Sequence, residues 1–280
     1  MPRHLRCLPL GVPERSAAQV LAALAALMSS SCGVMRNGSA WGETATLHPF
    51  QEDALRAARD AALDPWTWAP LAGAALLSID DLDEGLSDWA REHTPLFGST
   101  GDARRASDDL LQAAKHSWWV STLATPSGSE LAPWARNKVQ GFAVEWSAVE
   151  LTRRATGLAR DAVDRERPDG SDEHSFVSAH ASTSAAYCAL TWRNLDSIEL
   201  HDAARIPLRG GLIALAGSSA WARVEAGEHY PTDVLAGAAL GNFIASFVHD
   251  AFLGRAPEVQ WSLFADPSSG EIAVGFSSSR

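Results

Sequence analysis

Apolar residues recur three and four positions apart through most of this chain, the period of helices that each turn one face inward. The periodicity predicts helices over residues 49–62, 66–79, 81–92, 102–123, 130–165, 182–194, 208–223 and 233–252. Asp64-Pro65 stops the first, while Ser99-Thr100-Gly101 and Thr125-Pro126 bracket the fourth. In the long fifth helix Phe142, Trp146, Val149 and Leu158 fall on one stripe, read as its buried face. Past Gly254 the period changes. VQWSLFA and EIAVGFS flank Asp266-Pro267-Ser268-Ser269-Gly270, the signal of a β-hairpin. The expected fold is all-α: a helical bundle over residues 47–254 with a small β-hairpin tail over 255–280.

Residues 1–31 obey another logic. Arg3, Arg6 and Arg15 precede an apolar run at 17–28, and Ser29-Ser30-Ser31-Cys32 follows. A basic region, an apolar run too short to span a bilayer and small residues are the parts of an export signal. Small residues ending in Cys resemble the lipobox of bacterial lipoproteins, with Ser29 where that motif usually carries Leu. Lipidation of Cys32 and plain cleavage nearby, with Cys32 a bystander, both stay open. The expectation is an exported protein of the periplasm or cell envelope, held at the membrane by a lipid on Cys32, with residues 32–46 as a polar tether. Later uncharged runs at 65–79, 210–222 and 234–248 all fall short of a bilayer and read as buried core helices.

Composition narrows the classes. With 46% hydrophobic and 20% charged residues the chain has a core to bury, which excludes a disordered protein. A net charge of −11 argues against nucleic-acid binding. An acidic protein can still hold an anion by gathering its few arginines. Three cysteines, at 7, 32 and 188, make neither a disulfide framework nor a cysteine-ligated zinc site.

The chemistry lies in three islands. The first is Arg160 followed by Arg167-Pro168. The second is residues 175–182, SFVSAHAS, which sets Ser178 and His180 near a helix start. The third is residues 223–233, RVEAGEHYPTD, where Arg223, His229 and Asp233 lead into another helix. Guanidiniums fork onto phosphate oxygens, and a helix N-terminus offers N–H groups to an anion. Two histidines allow one to attack while the other donates a proton. A metal is not needed. A zinc site from His174, His180, His229 and Asp233 has nothing to fix its geometry.

The order and spacing resemble the phosphatidic acid phosphatase type 2/haloperoxidase superfamily, whose signature is K-x6-R-P, P-S-G-H and S-R-x5-H-x3-D. Arg160-x6-Arg167-Pro168 matches the first with Arg for Lys. Val177-Ser178-Ala179-His180 matches the second with Val for Pro and Ala for Gly, and Ala222-Arg223-x5-His229-x3-Asp233 matches the third with Ala for Ser. The resemblance implies the family's six-helix core and a phosphatase acting through a phosphohistidine. In it His229 attacks phosphorus, Asp233 holds the other ring nitrogen of His229, and His180 protonates the leaving alcohol. Arg160, Arg167, Arg223, Ser178 and the Ala179 N–H bind the phosphoryl oxygens. It also implies a phosphorylated small-molecule or lipid substrate and no cofactor. Vanadate would enter only in the haloperoxidase alternative, against which the Arg at 160 counts. The remaining alternative is a degenerate envelope lipoprotein, favoured by Val177 and Ala179. Outside the motifs, Arg153, Arg154 and Arg165 read as a solvated helix face. The tryptophans read as core, with Trp66 and Trp68 open to lining a lipid cleft.

Overall fold

The computed structural model describes residues 31–254 and two strands, Val259–Ala265 (β1) and Ile272–Ser278 (β2). The export-signal reading of the leader therefore falls, apart from Ser31, outside the described residues. Eight helices follow one another among the described residues: α1 (Gln51–Leu63), α2 (Pro65–Leu77), α3 (Leu82–His93), α4 (Thr100–Ala124), α5 (Leu131–Ala162), α6 (Ala179–Ser197), α7 (Asp202–Glu225) and α8 (Pro231–Leu253). The strands pair antiparallel, Val259 opposite Ser278.

Local chemistry sets the helix ends. The Asp64 carboxylate accepts the Trp66 N–H at 2.9 Å, with Pro65 as the first residue of α2. Ser99 caps α4 through the Asp102 N–H at 3.0 Å, and Gly254 closes α8 in the left-handed conformation. The sequence boundary at 208 is late. Helix α7 opens at Asp202 on a His201 cap and carries Pro207 inside its second turn, where the ring removes one helical N–H donor.

Helix α8 is central, with α6, α2, α5 and α1 all packed on it. By length and composition alone it could cross a membrane, but 67% of its apolar window is buried among these neighbours. Its closest partner is α6. A Cβ at Gly237 would lie 2.7 Å from the Ser178 carbonyl oxygen, and one at Gly241 would collide with that of Ser182. Two glycines thus let two helix backbones touch, and that contact seats the N-terminus of α6 against the N-terminus of α8.

Two expectations need correction. The stripe read from the large residues of α5 is buried only in part: Val149 is buried and Phe142 stacks on Trp118, whereas Trp146 and Leu158 are exposed. Besides Val144 and Val149, its inward face is Asn137, Lys138, Gly141, Glu145, Ala148, Thr152 and Thr156, small or polar where large neighbours come to it. The Trp41 ring lies on Gly141, and the Trp118 indole donates to Glu145 at 2.7 Å. Nor are residues 33–46 a free tether. Trp41 is buried, its N–H donates to the Pro126 carbonyl at 2.7 Å, and the Thr46 N–H donates to the Phe252 carbonyl at 2.9 Å. Ser31 is buried as well, its carbonyl accepting the Ser127 N–H at 3.0 Å. A single indole filling the space over a glycine turns a polar segment into a strap. The tryptophan reading holds for Trp41 and for Trp118, which stacks on Phe142 and Tyr187, whereas Trp66, Trp68 and Trp89 stay exposed.

Candidate active site

The three islands meet where α6 and α8 begin. Both helices point their N-termini at one place, so their partial positive charges add there. Arg160 reaches it from the last turn of α5, Arg167 from the loop that follows, and Arg223 from the last turn of α7. Gly227, at φ 73°, supplies the left-handed turn that carries the chain from Arg223 to His229.

His229 is fully buried. Its Nδ1 lies 2.7 Å from the Ser175 carbonyl oxygen, which can only accept, so Nδ1 carries the proton and Nε2 presents its lone pair. Nε2 faces the Arg160 guanidinium, 3.5 Å from Nη2. Burial, with Arg223 and Arg160 close by, holds the imidazole pKa well below its ordinary value. At neutral pH this is an uncharged imidazole in the tautomer that leaves Nε2 free to attack.

Asp233 does not hold the ring nitrogen as the resemblance implies. Its Oδ2 is 4.0 Å from His229 Nδ1, and the Ser175 carbonyl occupies the bonding position. Asp233 instead accepts the Ser175 hydroxyl at 2.5 Å, the Tyr230 N–H at 2.9 Å and Arg165 at 2.7 Å. It fixes the serine that fixes the histidine. Burial raises its pKa, against the pull of Ser175 and Arg165.

Arg165 is likewise no surface residue. It bridges Asp233 and Asp83 at 2.7 Å each, with its guanidinium over the Tyr230 ring. Asp83, on α3, also accepts the Thr232 N–H at 2.9 Å.

His180 Nε2 pairs with Asp108 on α4 at 2.8 Å. Burial and Arg223 lower the His180 pKa, opposed by Asp108. Ser178 is buried, its hydroxyl accepting the Ala181 N–H at 3.4 Å as a helix cap. The Ala179 N–H opens α6, among the donors that a helix's first turn leaves without an intrahelical acceptor.

The arginines are held but not spent. Arg160 Nε donates to the Val177 carbonyl at 3.0 Å, and Arg223 Nη1 to the Ser107 hydroxyl at 3.1 Å. The Nε atoms of Arg167 and Arg223 are buried without a hydrogen-bond partner among the described residues. Burial pushes the Arg160 and Arg223 pKa values down, and in each case Arg167 adds to the push. Buried cations with idle donors are the chemistry that an anion calls for.

The structure thus brings together Arg160, Arg167, Arg223, Ser178, Ala179, His180, His229 and Asp233. It places His174 apart, exposed and paired with Asp172 at 2.8 Å. Cys32 lies exposed on the strap. Sequence reasoning passed over Ser175, Asp83, Asp108, Arg104 and Glu228. Ser175 and Glu228 stood inside the islands, whereas the others sit on helices whose nearness to the site no local spacing reveals. Among the described residues no three His, Cys, Asp or Glu side chains gather as metal ligands. A cavity of about 470 Å³ lies elsewhere, between α2, α6, α7 and α8, and none of the eight site residues lines it. A family model, the PAP2 superfamily, matches residues 134–256, a span that holds all three islands. No curated protein and no solved structure matches the chain.

Proposed function

We propose that this chain, whose residues 134–256 match the PAP2 superfamily model, hydrolyses phosphate monoesters or diphosphates through a phosphohistidine on His229, with arginines doing the work of a metal. The observation that carries this reading is the uncharged His229, its Nε2 lone pair turned to Arg160, beside the buried Nε–H groups of Arg167 and Arg223, which have no hydrogen-bond partner among the described residues.

In the first step Nε2 of His229 forms a bond to phosphorus as the bond to the leaving oxygen breaks. His180 acts in its protonated form, which the Asp108 carboxylate favours against burial and Arg223, and gives its proton to that oxygen. The phosphoryl oxygens are met by Arg160, Arg167, Arg223 and the Ala179 N–H, which tighten as charge spreads in the transition state. Asp233 and the Ser175 carbonyl stabilise the positive charge that develops on His229. In the second step His180 takes a proton from water, the hydroxide attacks phosphorus, and the N–P bond breaks to release phosphate and restore His229.

The family acts on phosphorylated substrates, and we place a lipid phosphate at a membrane face among the candidates. Trp66, Trp68, Leu71 and Leu76 project from α2 into solvent, an apolar surface suited to a membrane interface, and Cys32 is accessible for acylation. Export to the envelope belongs to the same proposal. Cleavage just before Cys32 would give up the bonds of Ser31 to Ser127 and Trp134, so the mature N-terminus is itself to be measured.

The test is a panel assay of purified protein on p-nitrophenyl phosphate, an alkyl phosphate and a diphosphate, repeated with vanadate, and with vanadate, bromide and peroxide together. We expect hydrolysis that EDTA leaves unchanged, with competitive inhibition by vanadate tighter than by phosphate, since vanadate copies the five-coordinate state. Strong bromide oxidation would replace this reading with a peroxidase. Folded protein that binds neither anion would make it a non-catalytic lipoprotein.

A further inference from the structure

Glu228 stands immediately before His229, in the part of the third island to which the motif gives no role. It is buried, at 7% exposure, inside the arginine cluster. One carboxylate oxygen, Oε2, accepts both Arg167 Nη1 at 3.0 Å and Arg223 Nη2. The other, Oε1, forms an ion pair with Nε of Arg104 from α4 at 2.5 Å. Every bond from Arg167 and Arg223 to this carboxylate leaves from a terminal nitrogen, and the Nε–H of both remains idle.

Guanidiniums repel one another, and burial strengthens the repulsion. Glu228 lies between Arg167 and Arg223 and offsets that repulsion, with Asp172 3.5 Å from Arg167 Nη2 as a second, one-sided partner. Glu228 is also fixed in place. The Glu228 N–H donates to the Arg223 carbonyl at 3.1 Å, Gly227 turns tightly before it, and the Gly227 carbonyl accepts the Asp169 N–H at 3.1 Å. A carboxylate tied this way does not swing in and out like a removable plug. It acts as a hub.

We propose that Glu228 is the positioning residue of the phosphoryl cradle. Its carboxylate gathers Arg167 and Arg223 by their tips so that their Nε–H edges face the phosphoryl group, and Arg104 anchors that carboxylate from α4. This inference rests on the phosphatase reading above. It adds two residues to the binding machinery, neither of which touches the reacting atoms.

The experiment measures KM, kcat and the dissociation constants of orthovanadate and phosphate in wild type, Glu228→Gln, Glu228→Asp, Arg104→Ala and the Arg104→Ala/Glu228→Gln double variant, with thermal unfolding as the check on folding. A charge-assisted bond contributes enough that Glu228→Gln should weaken vanadate binding and raise KM roughly 10- to 100-fold, with kcat changed far less. Glu228→Asp should recover part of the loss because it restores the charge. Arg104→Ala alone should cost only about 2- to 5-fold, and the double variant should resemble Glu228→Gln, because Arg104 acts through Glu228. Folded Glu228→Gln that binds vanadate as well as wild type, or better, would overturn the hub: the carboxylate would be indifferent, or a competitor for the anion's seat. Wild type that binds neither anion would instead bring down the phosphatase reading, which separates the two failures.

Discussion

Helices α6 and α8 run parallel, and each end of the pair holds arginine, histidine and aspartate. At the N-terminal end stand Arg223, His229 and Asp233. At the C-terminal end stand Arg193, His249 and Asp250. The chemistry of the two ends is opposite. Arg193 spends Nε and Nη2 on both oxygens of Asp250, at 2.9 and 3.0 Å, and His249 Nδ1 lies 3.0 Å from the same carboxylate. Arg193 holds the Asp250 pKa down to about 2 despite burial, so this carboxylate stays ionised across the ordinary range. At the other end His229 rests on a carbonyl instead of a carboxylate, and the Nε–H groups of Arg167 and Arg223 have no acceptor among the described residues. The same residue types are closed into a structural clamp at one end and left open for a ligand at the other. Pairing, not composition, marks the site.

The largest expected difference tests that contrast directly. His229→Ala should lower kcat/KM on a phosphate ester by about 10⁴-fold or more, because no second imidazole is placed to form the covalent intermediate. His249→Ala should leave kcat/KM within about 3-fold and show its loss in the melting temperature. Comparable losses of activity in the two variants would erase the distinction between the ends.

Removing the arginines should separate the ends in the opposite sense. Arg193→Ala strands the buried carboxylate of Asp250, a loss of about 3–5 kcal/mol in a denaturant titration. Arg223→Ala removes a cation whose own bonding is incomplete, so it should destabilise less while abolishing vanadate binding. An Arg223 variant that unfolds as readily as the Arg193 variant would mean that the cradle arginines also hold the fold.

How much of this the sequence could tell follows from the same contrast. The cradle was legible because its residues come in short islands whose spacing survives any change in packing, and the helices were legible because an apolar period of 3.6 reports the backbone. The small or polar part of the buried face of α5 was not. Gly141 and Glu145 are inward because of Trp41 and Trp118, which lie about 100 and 27 residues away, and no local pattern carries that information. Asp108, Asp83 and Arg104 were hidden for the same reason, since a partner from another helix is a tertiary fact. Asp233 was found but its role was misread, because the spacing of His229 and Asp233 cannot show that the Ser175 carbonyl lies between them.

Within the cradle, His180 and its neighbour can be told apart by leaving group. His180→Asn should cost about 10²- to 10³-fold on an alkyl phosphate, whose leaving oxygen needs a proton, and distinctly less on p-nitrophenyl phosphate, whose oxygen does not. Equal losses on both substrates would remove His180 as the acid.

The smallest effect concerns the core behind the C-terminal end, and it should appear in stability alone. Glu145 is fully buried, bonded to Trp118 and Thr122, and lies 3.7 Å from His249. Burial raises its pKa from 4.5 to about 7, while burial lowers that of Lys138, on the same face of α5, from 10.5 to about 7. Between about pH 4.5 and 7 the unfolded chain has released the Glu145 proton and the folded chain still holds it, so stability falls as pH rises. Between about pH 7 and 10.5 the unfolded chain keeps the Lys138 proton that the folded chain has lost, so stability rises again. The two groups together give a minimum in stability near pH 7. Glu145→Gln should flatten the acidic limb and leave the alkaline one. KM for a phosphate ester should be the same in variant and wild type across this range, since the idle donors that read the phosphoryl group sit at the other end of α6 and α8. A Glu145→Gln variant whose KM moved with pH unlike wild type's would show that the two ends are coupled through the helices they share.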